Sequence, residues 1–351
     1  MNTDRITFVL EKKHLHFHEP FTIAYESVDS AEVIFITLKD GKGHVGYGSA
    51  SPDEEVTGES TPSVLEVLKN KLPNLIETLP TDLWYRAHEL IQHAFASYPS
   101  AQHAIEEAYL NLYCQKNGLN LQHLFGGYRT NMPIMMTLGI NTLDETLKDA
   151  QKYIKQGFTC IKLKVGLNVE EDIDRIRATR AAIGPSIQIC VDANQGYSVK
   201  ESLKLLKALS ELSIDFLEQP VNKDDIEGLS YITTNSPIPI FADESAVSID
   251  SIHSLFQHNC VDGVNIKLMK CGGPLNFIRI FHLAKRYNKK IMIGCMYESN
   301  ISITTGAALA LALPIDYADL DGGVLTFSDD SAKGGAIIKK GNIFCSQLVK
   351  L

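Results

Sequence analysis

The sequence predicts an α/β protein in which a parallel β/α barrel follows a compact α+β unit. Three observations predict it. From Pro133 onward, short apolar runs alternate with amphipathic stretches. Five of the runs close on Lys164, Asp192, Glu218, Asp243 and Lys267, at intervals of 24 to 28 residues, the length of one strand–helix unit. Before Gly126-Gly127, strand patterns and helix patterns come in separate blocks instead.

In the first block, Ile6–Leu10, Val33–Leu38 and His44–Ser49 have strand composition, and Asp40-Gly41 to Gly43 punctuates the last two as a hairpin. Helical patterns follow over Ser63–Leu75, Leu83–Ala96 and Ser100–Asn117, the last ending at Gly118. The barrel strands are expected at Pro133–Leu138, Cys160–Val165, Ile187–Asp192, Phe216–Glu218, Ile238–Asp243, Gly263–Lys267, Lys290–Gly294 and Ile315–Asp319. Amphipathic stretches such as Thr142–Gln156, Glu170–Ile183 and Lys200–Leu212 lie between them. Asp319 falls two further units beyond Lys267, so one rim of the barrel repeatedly carries ionisable residues.

Composition sets the class of partner. The 351 residues are 44% hydrophobic and 21% charged, with a net charge of -9. An acidic chain argues against nucleic acid or an anionic membrane as partner. Seven cysteines, an odd number with no CxxC pair, read as free thiols in a reducing compartment. The first fifteen residues are charged throughout and no apolar run reaches membrane-spanning length, so a cytoplasmic protein is expected.

Asp192, Glu218 and Asp243 end apolar runs on three consecutive strands. Three carboxylates at one rim repel unless a cation lies among them. All-oxygen ligation in a site that also admits substrate favours Mg²⁺. The alternative is a set of carboxylates paired to arginines or capping helices. Asn194, Gln219 and Glu244 follow closely as candidate supporting residues.

Lys162 and Lys164 share one side of a strand by their period-two spacing. Inward lysines are costly in a core unless they serve chemistry. Counted round the ring, Lys164 lies on the second strand and Lys267 on the sixth, so two amines would face each other across a metal-bound substrate. That arrangement suits removal of a proton on one side and its return on the other, with the lysine pKa lowered toward the useful range by burial, metal and neighbouring ammonium. Lys162 would also stabilise an enolate oxygen. Lys270 is expected on a loop surface.

Lys162-x-Lys164, Val-Asp192-Ala-Asn-Gln, Leu-Glu218-Gln-Pro, Ala-Asp243-Glu-Ser and Asn-Ile-Lys267 together resemble the muconate-lactonising subgroup of the enolase superfamily, nearly end to end. The resemblance implies a modified TIM barrel, (β/α)7β, over 127–320. It implies an α+β capping domain over 1–126, with the segment 321–351 returning to that cap. It also implies one Mg²⁺ per subunit, binding a substrate carboxylate. Subgroup members carry out cycloisomerisation, o-succinylbenzoate synthesis, N-acylamino acid racemisation or dipeptide epimerisation.

The pair Asp319 and Asp321 resembles that of the dipeptide epimerases, where it holds the α-ammonium of the N-terminal residue. Two acids at period two would make an anionic pocket opposite the metal, or else cap the turn before Gly322-Gly323. Thr137 and Cys295, at the ends of strands one and seven, are expected to line the pocket. Pro20–Ser27 occupies the position of the family's mobile substrate loop and carries Tyr25 and Glu26 where alanyl-glutamate enzymes have an arginine. The expected activity is therefore dipeptide epimerisation, on a dipeptide whose second residue is apolar or small and not L-Glu. N-acylamino acid racemisation or succinylbenzoate synthesis on the same site is the alternative, and a non-catalytic carboxylate binder the alternative of another class. A homo-oligomer stays open. His14, His16 and His18 are read as one solvated strand face, and Cys271-Gly272-Gly273-Pro274 as a turn into a helix.

Overall fold

The computed structural model describes residues 5–345 and Leu351. The cap opens with an antiparallel meander of β1 (Thr7–Thr22), β2 (Ser27–Lys39) and β3 (Val45–Ala50). β1 is one 16-residue strand through the three histidines, with a register shift between His16 and Phe21. Its far end turns back at Ile23, whose N–H donates to Glu26 O at 2.9 Å. Three helices cover the sheet: α1 (Thr61–Thr78), α2 (Trp84–Ala94) and α3 (Pro99–Asn117), with short α4 (Leu121–Phe125) after them. Ser60 and Ser63 form a capping box on α1, and Gly118 ends α3 in the left-handed conformation at φ 65°. α3 packs so closely on β3 that a Cβ at Gly48 would stand 2.0 Å from Ala104 O, which only glycine avoids.

The barrel is an eight-stranded parallel sheet in sequence order: β5 (Met135–Leu138), β6 (Cys160–Lys164), β7 (Gln188–Asp192), β8 (Phe216–Glu218), β9 (Ile240–Ala242), β10 (Gly263–Lys267), β11 (Lys290–Gly294) and β12 (Tyr317–Asp319). The helices between and after them are α5 (Leu143–Lys155), α6 (Val169–Ile183), α7 (Val199–Leu209), α8 (Ile226–Asn235), α9 (Ile249–Gln257), short α10 (Leu268–Cys271), α11 (Pro274–Arg286) and α12 (Asn300–Ala312). Side-chain caps from Thr142, Asn168, Ser198, Asp225, Ser248 and Ser299 start six of them, each satisfying an otherwise orphaned helix N–H.

The expected first strand, Pro133–Leu138, is divided. β4 (Met132–Pro133) pairs with the tail, and the barrel strand starts only at Met135. Pro133 has no N–H to give a ladder, so the change of partner falls there.

Alternation along the barrel strands makes two layers. Met135, Cys160, Cys190, Phe216, Phe241, Met292 and Tyr317 form an apolar plug, in which Phe216 and Phe241 stack at 4.2 Å. Gly263 leaves room for that stack, since a Cβ there would meet the Phe241 ring at 2.5 Å. Two residues further along six of those strands stand Thr137, Lys162, Asp192, Glu218, Asp243 and Asp319. The polar layer therefore rests on the plug with the period of the pleat.

Cap and barrel meet across a buried polar seam. Glu106 of α3 accepts from Leu275 N at the start of α11 at 2.9 Å and contacts His88 Nδ1 at 2.6 Å. Glu107 accepts from Ser49 N and from Ser302 Oγ of α12, each at 2.9 Å.

After β12 the chain returns along the cap. Phe17 pairs with Phe327, His18 N donates to Thr326 O, and Ser328 N donates to His16 O. The hairpin of β13 (Ala336–Lys339) and β14 (Asn342–Cys345) joins β4 instead, so the tail serves the barrel as well as the cap. Positions 1–4 of the expected cap and 346–350 of the expected tail segment lie outside the described residues. Among the described residues, no helix is long and apolar enough to cross a membrane.

Candidate active site

Asp192 and Glu218 end β7 and β8, and Asp243 follows β9 directly. One carboxylate oxygen from each lies within 4.8 Å of the others, and all three residues are buried. Each carboxylate is held by its other side. Asp192 Oδ1 accepts from Asn194 N at 3.0 Å, Glu218 Oε1 from Asn265 Nδ2 at 2.7 Å, and Asp243 Oδ1 from Lys270 Nζ at 2.6 Å. Glu218 Oε2 and Asp243 Oδ2 accept no aligned hydrogen bond, although Lys162 and Lys267 each bring an ammonium to 2.8 Å. Buried anionic oxygens left without aligned donors fit a hard cation, and the all-oxygen donor set is of the right chemistry.

The charges are strongly coupled. Burial opposes ionisation of Asp192, but Lys162 and Lys164 outweigh it and bring the carboxyl down to about 2. Burial and then Asp192 push Glu218 up to about 8 against Lys162. Burial also works against Asp243, but Lys267 and Lys270 hold it below the usual carboxylate range.

Lys162, Lys164 and Lys267 all point into the barrel mouth and are buried. Lys164 Nζ donates to Asp192 Oδ2 at 2.7 Å and to Asn194 Oδ1 at 2.9 Å. Lys162 Nζ lies 2.9 Å from Asp192 Oδ2 and donates to Asp319 Oδ2 at 2.7 Å. The carboxylates by themselves work against the fall in lysine pKa expected from burial, metal and neighbouring ammonium together. Burial lowers both, but Asp192 and Asp319 for Lys162, and Asp243 for Lys267, hold them well above the ordinary range. The reason is the number of carboxylates that face them.

Thr137, Asp319 and Asp321 come together where β12 lies beside β5. Thr137 N donates to Asp321 Oδ2 at 2.7 Å and Thr137 Oγ1 to Asp319 Oδ1 at 3.3 Å. Burial, then Asp319, raise Asp321 to about 6. Cys295 flanks the pair, and burial, then Asp321, keep its thiol protonated. These residues and the three lysines line one cavity of about 390 Å³, roofed by Ile23, Tyr25, Glu26, Asp53 and Val56 of the cap.

Two residues escaped the sequence reading. Lys270 is not on a loop surface: α10 turns it inward, where its ammonium also meets Asp243 O at 2.5 Å and Asn265 O at 2.9 Å. Asn265 shares the inward face of β10 with Lys267, and its spacing of two was the signal available. The supporting residues noted from sequence do engage. Asn194 Nδ2 donates to Glu244 Oε1 at 3.1 Å, and Gln219 Oε1 accepts from Asp243 N at 3.0 Å.

Residues 5–126 match the mandelate racemase/muconate lactonizing enzyme N-terminal domain, and residues 145–347 match the enolase C-terminal domain-like family. An L-Ala-D/L-Glu epimerase of Clostridium acetobutylicum is 35% identical over 93% of this chain and 91% of its own length. A hydrophobic dipeptide epimerase of Enterococcus faecalis is 37% identical over 86% of each chain. An N-succinyl-L-Arg/Lys racemase of Bacillus cereus is 33% identical over 90% of this chain and 86% of its own. The crystal structure of the Enterococcus faecalis V583 dipeptide epimerase with Mg and L-Leu-L-Tyr superposes with a TM-score of 0.92 at 32% identity, covering 99% of this chain and 98% of that one. Both domain models and these relatives match over most of the chain, which belongs to the enolase superfamily, in its mandelate racemase/muconate lactonizing branch, and is an isomerase of the racemase and epimerase class.

Proposed function

We propose that the protein epimerises dipeptides, inverting the α-carbon of the C-terminal residue of an L,L-dipeptide by moving one proton. The observation that carries this reading is the placement of Lys164 on β6 and Lys267 on β10. They lie four strands apart in the eight-strand order, and each is paired to a different carboxylate of the buried cluster. One ammonium or amine on each side of a bound α-carbon can take its proton from one side and return it on the other. A binding protein needs no such opposed pair.

We assign the cluster Asp192, Glu218 and Asp243 as the ligands of one Mg²⁺ per subunit, which would supply positive charge to the substrate carboxylate and make the α-proton more acidic. Lys162 adds a fixed ammonium beside the negative charge that builds on that carboxylate. Asp319 and Asp321, tied by Thr137, receive the substrate's α-ammonium, and Cys295 closes that end of the cavity with a neutral thiol. The roof offers Glu26 and no arginine, which disfavours an L-Glu side chain.

A second reading has its own observation. Asp319 already holds Lys162 and Asp321 already holds Thr137 N, so an acylated amine would not leave two bare charges. Racemisation of N-acylamino acids therefore competes, as does o-succinylbenzoate synthesis on the same site. The test is α-proton exchange: an L,L-dipeptide library with Mg²⁺ in D₂O, read by mass spectrometry. A gain of one mass unit on the C-terminal residue of free dipeptides supports epimerisation. Gain only in acylated amino acids supports the second reading, and binding without exchange would leave a non-catalytic carboxylate-binding protein.

A further inference from the structure

The cap residues that line the cavity are Phe17 to Phe21, Ile23, Tyr25, Glu26, Asp53 and Val56. Among these described residues, the cap contributes no lysine or arginine. Its acids, however, number three: Glu19, Glu26 and Asp53. Glu26 lies within electrostatic reach of Lys164 and of Asp53, while Tyr25 and Tyr297 lie within reach of both Lys267 and Asp53. Glu26 and Asp53, with two phenol rings, therefore share one cavity with the two lysines.

The rest of the gap is already assigned. The carboxylate cluster takes one direction from the α-carbon and Asp319 with Asp321 another. What remains for the side chain of the residue being inverted is the way up, toward this roof. Glu26 is half-buried there. Tyr297 Oη donates to Glu26 Oε1 at 3.2 Å, and among the described residues no side chain or N–H donates to Oε2. Asp53 Oδ1 is engaged in its own turn by Glu55 N and Val56 N, both at 2.9 Å, which fixes the carboxylate in place.

We infer that the roof formed by Glu26, Asp53, Tyr25 and Tyr297 selects a cationic side chain on the C-terminal residue, so that the substrate is a dipeptide ending in lysine or arginine. The inference rests on the dipeptide reading above and narrows it. An apolar side chain would strip water from Glu26 and Asp53 with only the contacts of Phe17, Phe21, Ile23 and Val56 to offset it, and an acidic one would add a further negative charge. An ammonium or guanidinium between two carboxylates, flanked by aromatic rings, meets both needs. Sequence alone suggests an apolar or small second residue, because Glu26 by itself only repels glutamate. The fold adds Asp53 to the same cavity.

The test compares L-Ala-L-Lys with L-Ala-L-norleucine, of similar length, and with L-Ala-L-Glu. Each is supplied as its equilibrated mixture of L,L and L,D forms to the Mg²⁺-loaded protein, and dissociation constants are taken by calorimetry. Lysine is expected to bind at least about tenfold more tightly than norleucine, with glutamate weakest. Glu26→Gln and Asp53→Asn, which keep the Tyr297 contact and the turn, should each shrink the lysine-to-norleucine ratio without weakening norleucine. Equal binding of lysine and norleucine, tighter binding of either competitor, a ratio unmoved in both variants, or no binding by any of the three would overturn the inference. α-Proton exchange, measured in parallel, judges the epimerase reading separately. Lysine preference without exchange would sink that reading and leave the roof's selectivity standing, whereas exchange with norleucine preferred would do the reverse.

Discussion

Lys162 and Lys164 reach the same oxygen: Asp192 Oδ2 lies 2.9 Å from the first ammonium and 2.7 Å from the second. The two side chains then diverge, Lys162 toward Asp319 and Lys164 toward Asn194. One carboxylate therefore orients both amines. Only Lys164 has a counterpart in Lys267 on the opposite arm of the cluster.

Replacing Lys164 or Lys267 by alanine should lower epimerisation by roughly 10²- to 10⁴-fold. Each variant should still exchange the α-proton of one stereoisomer with D₂O, and the two variants should favour opposite isomers. Full epimerisation in both would end the two-base scheme.

Lys270 holds Asp243 by one oxygen and by its carbonyl, and also bonds Asn265 O. Lys270→Met removes the ammonium from all three acceptors and leaves Asp243 Oδ1 without its donor, while Asp243 O keeps Ala246 N–H at 2.9 Å. Mg²⁺ affinity, measured calorimetrically, is expected to fall by about 10- to 100-fold. An unchanged affinity would show that Asp243 is positioned without it.

Below pH 6 the Asp319–Asp321 pocket should weaken. Burial and Asp319 raise Asp321 to about 6, so it takes up a proton as the pH drops through that value and loses its attraction for an ammonium. kcat/KM for a free dipeptide should therefore fall on the acid side, with KM carrying the change. Asp321→Asn should raise KM above pH 6, match the wild type well below it, and so remove this limb of the profile; a limb that survives belongs to another group.

Glu107 offers a readout of stability apart from catalysis. Burial pushes its carboxyl from 4.5 up to about 7, and its neighbour His103 is kept neutral, brought down to about 3 by burial. Between pH 4.5 and 7 the folded protein holds a proton that the unfolded chain has released. The contribution is therefore complete below 4.5 and lost as the pH rises through 7. Glu107→Gln should gain on the wild type as pH increases, by up to roughly 3 kcal/mol at pH 8. Denaturant unfolding from pH 5 to 8.5 measures it, and parallel curves for the two proteins would contradict it.

The barrel and its polar rim were legible because alternation and unit length both leave marks in a sequence. Asp192, Glu218, Asp243, Lys162, Lys164 and Lys267 each sit where an apolar run ends or alternates. Lys270 was not legible, because a short helix after β10 turns what looks like a loop residue inward. The pairing of Met132 and Pro133 with the tail depends on residues more than two hundred positions away, and no local pattern encodes it. That Glu26 and Asp53 line the same cavity and feel each other's charge is again a property of the assembled chain.

The contact of Phe17 with Phe327, continued by His16 with Asp329 at a separation of 313 residues, has a bearing on how the protein is made. A ribosome delivers the first strand long before its last backbone partner. Phe17 and Thr326 both border the cavity, so the wall of the site is a seam between parts of the nascent chain made far apart in time. A polypeptide halted after the eighth barrel strand would own the three lysines and the carboxylate cluster and still lack Asp321 and the wall of Val324 to Thr326 that closes the chamber.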